Sequence, residues 1–244
     1  MYRGTVNLEA ALTDNSIAFA SFTFKPPNLG VESVELAAPG GEKIIGTVNL
    51  VGVPSPDVGC ETARAVFDRA LNRLSFFRKV VIRTARIISR DFQADAPGMV
   101  AFTAAIEGTA RVLPLVVALG PKELSEALEP GSHHGEAHFE ALRSARSSLS
   151  RVEEFVYLYG ILMRLFGDDF EAVDAFIRKA EPGVEQTPSK RPRAKPGEME
   201  TVYTRLRHEL AHTRNVPTDE TRDGIETKVA DLREVVWQAI NQSP

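Results

Sequence analysis

Pro130-Gly131-Ser132-His133-His134-Gly135-Glu136-Ala137-His138-Phe139 separates two stretches of chain with different hydrophobic periods. Before it, apolar and polar residues alternate, as on half-buried strands. After it, apolar residues recur every three to four positions, as on amphipathic helices. Strands and helices in separate blocks predict an α+β chain. The predicted parts are a mixed α/β sheet domain over residues 1–130 and an all-α four-helix bundle over residues 131–244.

Toward the N-terminus from that junction, strands are predicted at residues 5–8, 17–24, 34–37 and 43–53. They are rich in β-branched and aromatic residues and are bounded by Pro26-Pro27-Asn28 and Pro39-Gly40-Gly41. Ser55-Pro56-Asp57 reads as a helix start. Cys60, Ala63, Val66, Ala70, Leu71 and Leu74 then recur at helical spacing to about Phe76. Strand patterns return at 79–92 and 99–112, and a short helix is predicted over 121–128. Gly4-Thr5-Val6-Asn7-Leu8 recurs as Gly46-Thr47-Val48-Asn49-Leu50, and neither flank extends the match. A chance repeat or an old duplication accounts for this better than a solenoid, which needs several repeats.

Toward the C-terminus, Phe139, Leu142, Leu149, Val152, Val156, Tyr159, Met163 and Phe166 trace one long helix ending at Gly167. A second helix follows Asp168-Asp169, with Phe170, Val173, Phe176 and Ile177 on its inner face, and Glu181-Pro182-Gly183 stops it. A third is predicted from about Gly197 to His212. A fourth carries Ile225, Val229, Leu232, Val236 and Ile240. Residues 187–196 (TPSKRPRAKP) hold three prolines and four basic residues with no acid, which predicts an extended loop able to attract phosphate.

Composition narrows the function classes. The 244 residues carry a formal net charge of −4, with 43% apolar and 25% charged residues. That is ordinary for a globular protein and opposite to a strongly basic nucleic-acid binder. Residues 131–244 hold 16 Lys/Arg against 19 Asp/Glu, so contact with nucleic acid must come from a local patch. No apolar run nears the roughly 20 residues that span a bilayer, so no membrane is expected as a partner. Cys60 is the single cysteine, which leaves no disulfide framework. Met1-Tyr2-Arg3-Gly4-Thr5 lacks the apolar stretch of a signal peptide, and a cytoplasmic location is the expectation.

All five histidines fall in two clusters: His133, His134 and His138, then His208 and His212. On a helical wheel, Met199, Val202, Tyr203, Leu206 and Leu210 make the buried stripe of the third helix. His208 and His212 fall nearly opposite that stripe, one turn apart, and are predicted to face solvent, a groove or another subunit. Two patterns overlap on these residues. His208-Glu209-Leu210-Ala211-His212 spells H-E-x-x-H, in which two histidines ligate zinc and the glutamate polarises a water. Glu226, Glu234 or the pair His134 and His138 could complete such a site. Against it stand Arg205, Arg207 and Arg214, since three cations beside Zn²⁺ are electrostatically unfavourable.

The second pattern is Arg207-His208-Glu209-Leu210-Ala211-His212, an R-x₄-H with a polar residue directly after the arginine. With Tyr203-Thr204-Arg205-Leu206 leading into it, and the aromatic-rich Phe155-Val156-Tyr157-Leu158-Tyr159 on the first helix, the segment 131–244 resembles the HEPN superfamily. More loosely, the whole layout is similar to the MauJ-type proteins of methylamine-utilisation clusters. The HEPN resemblance implies a homodimer that binds RNA or a nucleotide, or cleaves RNA without metal or cofactor. In that reading His212 handles the proton of the ribose 2′-hydroxyl or of the leaving 5′-oxygen. Arg207 holds the phosphate, and His208 orients the pair. Arg207 and His212 diverge by about 140° on an ideal helix, so a twofold partner is expected to complete the site. A non-catalytic ligand-binding or interaction module, such as a metabolic accessory protein, and a zinc hydrolase stand as the alternatives.

Overall fold

The computed structural model describes residues 1–14, 17–94, 117–128, 136–189, 197–212 and 217–243. The chain divides into two compact units, Met1–Phe139 and Glu140–Pro244. The class is α+β, with strands concentrated in the first unit and helices in the second. Among the described residues no helix is long and apolar enough to cross a membrane.

The first unit is built on β1 (Tyr2–Asp14), β2 (Ile17–Phe24), β3 (Val31–Ala38), β4 (Lys43–Val53), α1 (Pro56–Arg78), β5 (Val81–Ile82), β6 (Arg86–Ala94), β7 (Val117–Ala118) and α2 (Pro121–Leu128). β1 lies between β4 on one side and β5 and β6 on the other. The sheet continues from β4 through β3 and β2 to β7, the one parallel neighbour among these strands. Even-numbered residues of β1 and β4 face the core, with Val6, Leu8, Ile44, Val48 and Leu50 fully buried. α1 packs on this face through Ala63, Phe67, Leu71 and Leu74. Ser55 caps α1 by accepting from the Val58 amide at 3.2 Å, and Pro56 supplies a fixed φ in the first turn. A Cβ on Gly46 would sit 2.3 Å from the Phe67 ring, so glycine is what lets α1 approach β4.

The pentapeptide repeat is a structural pair. Its two copies lie side by side on β1 and β4 in antiparallel register, with Thr5 opposite Asn49, Val6 opposite Val48 and Asn7 opposite Thr47. The Thr5 hydroxyl donates to Asn49 Oδ1 at 3.0 Å, and the Thr47 hydroxyl donates to Asn7 Oδ1 at 2.9 Å. Each asparagine amide then donates outward, Asn7 to Ser89 on β6 at 2.8 Å and Asn49 to Ser33 on β3 at 2.9 Å. The four central strands therefore carry a local twofold centred on Val6 and Val48.

Arg73, 3% exposed, ties the helices of this unit together. Its Nε donates to the Ala127 carbonyl at the end of α2 at 2.8 Å, and its Nη1 meets Glu136 at 3.1 Å. Glu136 opens α3 (Glu136–Arg146), within which the two units divide.

The second unit contains α4 (Arg151–Leu165), α5 (Phe170–Ala180), a short hairpin of β8 (Gln186–Pro188) and β9 (Met199–Thr201), α6 (Val202–His212) and α7 (Asp219–Gln242). α7 packs against α4, α5 and α6. Phe155, Leu158, Tyr159, Val173, Ile177, Tyr203, Leu206, Ile225, Leu232 and Val236 are fully or almost fully buried.

Three expectations change here. The long helix expected from Phe139 to Phe166 is two helices, α3 and α4. The serines between them favour a turn: Ser147 turns its hydroxyl back onto the Arg143 carbonyl at 2.9 Å. Leu149, assigned to the buried stripe, is 93% exposed in that turn. The third helix starts at Val202 instead of Gly197, because 199–201 pair with 186–188 as a hairpin. Met199 accordingly leaves the helical stripe and is 39% exposed. The strand expected over 99–112, His133, His134 and residues 190–196 of the basic stretch lie outside the described residues.

Candidate functional site

The site is built around α6, and a buried carboxylate fixes where α6 begins. Asp174 on α5 is 2% exposed. It accepts from the Thr201 hydroxyl at 2.7 Å, the Thr204 hydroxyl at 2.6 Å and the Thr201 amide at 3.3 Å. A carboxylate can only accept, so Thr204 spends its proton on Asp174. Tyr159 of α4 is then the donor in the 2.7 Å contact between its hydroxyl and Thr204. One residue earlier on α6, Tyr203 donates to Glu181 at 2.6 Å. Burial pushes the Tyr203 pKa up, and the Glu181 carboxylate reinforces the shift, so this phenol stays a neutral donor.

A second buried carboxylate ties α4 to α7. Glu154 is 2% exposed and accepts from Arg233 Nη2 at 3.0 Å and from Arg151 Nη1 at 2.9 Å. Sequence reasoning singled out neither Glu154 nor Asp174. Glu154 falls on the side of the helix away from the expected stripe of Val152, Val156 and Tyr159, so spacing gave no signal for it, while Asp174 directly follows the inner-face Val173.

His208 is where the structure departs most from the wheel. Instead of facing solvent, its side chain is only 15% exposed, with Nδ1 3.4 Å from Glu200 Oε2. Its ring lies against Phe170, centroids 5.0 Å apart. Glu200, on β9, is fully buried and accepts from Ser189 Oγ at 3.0 Å. The β8–β9 hairpin places these groups against a helix face that the wheel treats as bare, and no wheel drawn on one helix contains that hairpin.

The other motif residues separate. Arg207 is half-buried and makes no hydrogen bond or ion pair with another described residue. Glu209 turns to α7, accepting from Thr221 Oγ1 at 3.0 Å, with Arg205 Nε at 3.9 Å. His212 ends α6, and its side chain lies outside the described residues. Among the described residues, no three His, Cys, Asp or Glu side chains converge as metal ligands. His138 sits in the first turn of α3 in the first unit. Glu226 faces Arg151 at 3.8 Å, and Glu234 is exposed on α7. Cys60 is buried, with Sγ 3.7 Å from Arg90 Nη1.

Beside Thr221, a cleft of about 410 Å³ opens between the starts of α4 and α7. It is lined by Ser150, Arg151, Val152, Pro217, Arg222 and Glu226. Arg222 makes no side-chain bond to another described residue, so the cleft has an uncommitted cation on its wall. The cleft thus carries an arginine that can hold an anion, while His208 packs elsewhere on α6, beside Glu200 and Phe170. No family model, curated protein or solved structure matches the chain.

Proposed function

We propose that the second unit is a HEPN-like four-helix bundle and that the protein acts as a homodimer that binds RNA and cleaves it without a metal. Arg207 carries this reading. It is an arginine on the same helix as His208 and His212, a helix seated through the buried Tyr203 and Leu206, and its side chain is left without a partner among the described residues. An arginine in that position is free to take a phosphate oxygen pair. His212 transfers a proton at the ribose 2′-hydroxyl or at the leaving 5′-oxygen, and Arg207 stabilises charge growing on the phosphate. The cleft between the starts of α4 and α7, about 410 Å³, is of nucleotide size.

The test is cleavage of a mixed-sequence oligoribonucleotide in excess chelator, with light scattering for oligomeric state. The expected result is a dimer whose cleavage persists in chelator and falls about 100-fold or more in Arg207→Ala and His212→Ala. Cleavage abolished by chelator and restored by zinc overturns the metal-independent mechanism. A monomer without cleavage or RNA affinity leaves a non-catalytic module.

A further inference from the structure

We propose that the outer face of α4 is where two copies of this chain meet, with the two α4 helices antiparallel about a twofold axis. This names the face of the homodimer proposed above and rests on that part of the reading, not on the RNA chemistry. Glu153, Tyr157, Gly160 and Arg164 fall within about 60° of one another around the helix and form one stripe along it. All four are exposed. Tyr157 is 56% exposed, and Val156 beside it 40%, which puts an apolar centre between two charged ends. Neither charged side chain, nor the tyrosine hydroxyl, makes a bond to another described residue.

The spacing of this stripe is self-complementary. A twofold perpendicular to α4, midway between Tyr157 and Gly160, is also midway between Glu153 and Arg164. An antiparallel copy therefore sets Tyr157 against the partner's Gly160 and Glu153 against the partner's Arg164, and the same contacts recur on the other side of the axis. A parallel pair would instead bring like charges together at both ends. Gly160 has no explanation inside one protomer. Glycine weakens a helix interior, its φ here is not positive, and an added Cβ would meet nothing within 4 Å. Across the twofold it supplies the hollow that admits a tyrosine ring. The dipole of α4 favours an acid in its first turn and a base in its last. It does not call for an exposed tyrosine and a glycine on the line between them. A crossing angle of about 20° keeps the paired residues in reach over the roughly 16 Å from Glu153 to Arg164. Contact along one helix of 15 residues is at the small end of specific interfaces, so a dimer that dissociates in the micromolar range is expected.

The experiment is sedimentation velocity and native mass spectrometry of the full-length protein across a concentration series. The variants are Glu153→Arg, Arg164→Glu and Gly160→Leu, each checked for fold by circular dichroism and thermal unfolding. Each charge reversal alone is expected to weaken the dimer about tenfold or more at low salt, since two like-charge contacts replace two attractive ones. Mixing the two reversal variants is the decisive arm. One chain then carries two cations on the stripe and the other two anions, so a heterodimer close to wild type in affinity is expected, identified by its mass. Gly160→Leu fills the hollow, where alanine would leave most of it open, and is expected to weaken the dimer about tenfold or more while the protomer stays folded. Should Gly160→Leu not fold, the reversals and their mixture decide. A dimer unmoved by all three variants lies on another face, which overturns the assignment to α4 and leaves the homodimer standing. Reversals that weaken the dimer without recovery on mixing overturn the antiparallel register. A monomer at every concentration overturns this inference and the homodimer together. A dimer that obeys the mixing test but does not cut RNA sinks the ribonuclease and supports the α4 face.

Discussion

The two units handle polar side chains in opposite ways. On the central strands of the first unit, half-buried polar groups answer each other: Thr5 with Asn49, Asn7 with Thr47, and each asparagine with a serine one strand further out. Each of these four donors meets a neutral acceptor of the same sheet. In the second unit three carboxylates, Glu154, Asp174 and Glu200, are almost wholly removed from solvent. Buried charge demands compensation, and the compensation differs at each. Glu154 takes two arginines, and Asp174 takes two hydroxyls and an amide. Glu200 takes a serine hydroxyl, with His208 Nδ1 3.4 Å away. A ladder of neutral pairs fixes register. A buried carboxylate ties elements together through whatever donors reach it.

The largest expected effect breaks that comparison on the helical side. Asp174→Ala leaves the Thr201 amide and the Thr201 and Thr204 hydroxyls without their shared acceptor in a buried setting. It is expected to cost about 3–5 kcal/mol in urea unfolding, with Asp174→Asn costing less. A loss below about 1 kcal/mol would show that Asp174 does not hold the start of α6.

Next comes a steric test of the sheet unit. Gly46→Ala puts a methyl 2.3 Å from the buried Phe67 ring, and about 1–3 kcal/mol of destabilisation is expected, partly recovered by adding Phe67→Leu. Gly160→Ala on α4 is the control. Nothing lies within 4 Å of its added carbon, and a gain of up to about 1 kcal/mol is expected from helix propensity. If both alanines behave alike, close approach of α1 to β4 is not what glycine serves at position 46.

Smaller again is the symmetry of the ladder. Thr5→Val and Thr47→Val remove equivalent donors, at 3.0 and 2.9 Å from their asparagines. Each is expected to cost about 1 kcal/mol, with the two agreeing within about half of that. Double-mutant cycles with Asn49→Ala and Asn7→Ala isolate the coupling. Clearly unequal couplings would reduce the twofold to a resemblance of backbone alone.

How much of this was legible in the sequence follows from the range of the interactions. The alternating strands, the capped helix after Ser55 and the helix after Thr218 were readable because period and capping are local. The repeat was visible, yet its antiparallel self-pairing was not, since two identical strands pair equally well with other neighbours until a fold chooses. Arg207, His208 and His212 could be named from spacing and placed on one helix. Glu200 could not, because its burial is created by a three-residue hairpin whose partner strand lies more than ten residues upstream. Leu149 misled for the opposite reason: it keeps the helical period across a serine turn that breaks the helix. Local pattern found the residues that offer chemistry and missed the buried carboxylate beside one of them.

The smallest effect concerns a carboxylate of the sheet unit that behaves like those of the helical unit. Glu9 on β1 is 8% exposed and meets Arg86 on β6 and Lys43 on β4, the latter at 3.1 Å. The Arg86 hydrogen bond, with Lys43 adding to it, outweighs burial and holds the Glu9 pKa below its ordinary 4.5. A carboxylate with a lowered folded-state pKa binds fewer protons folded than unfolded. Its contribution is therefore fully present above about pH 4.5 and is lost as pH falls through the lower, folded value. Both cations are well exposed, at 76% and 42%, so screening keeps the pair to roughly half a kcal/mol. Unfolding of wild type and Glu9→Gln is expected to differ by that amount at pH 7, with the gap closing as pH falls below about 4.5 and in high salt. A gap that widens on acidification would mean that Glu9 is stabilised as the acid, and that burial governs it more than its two cations do.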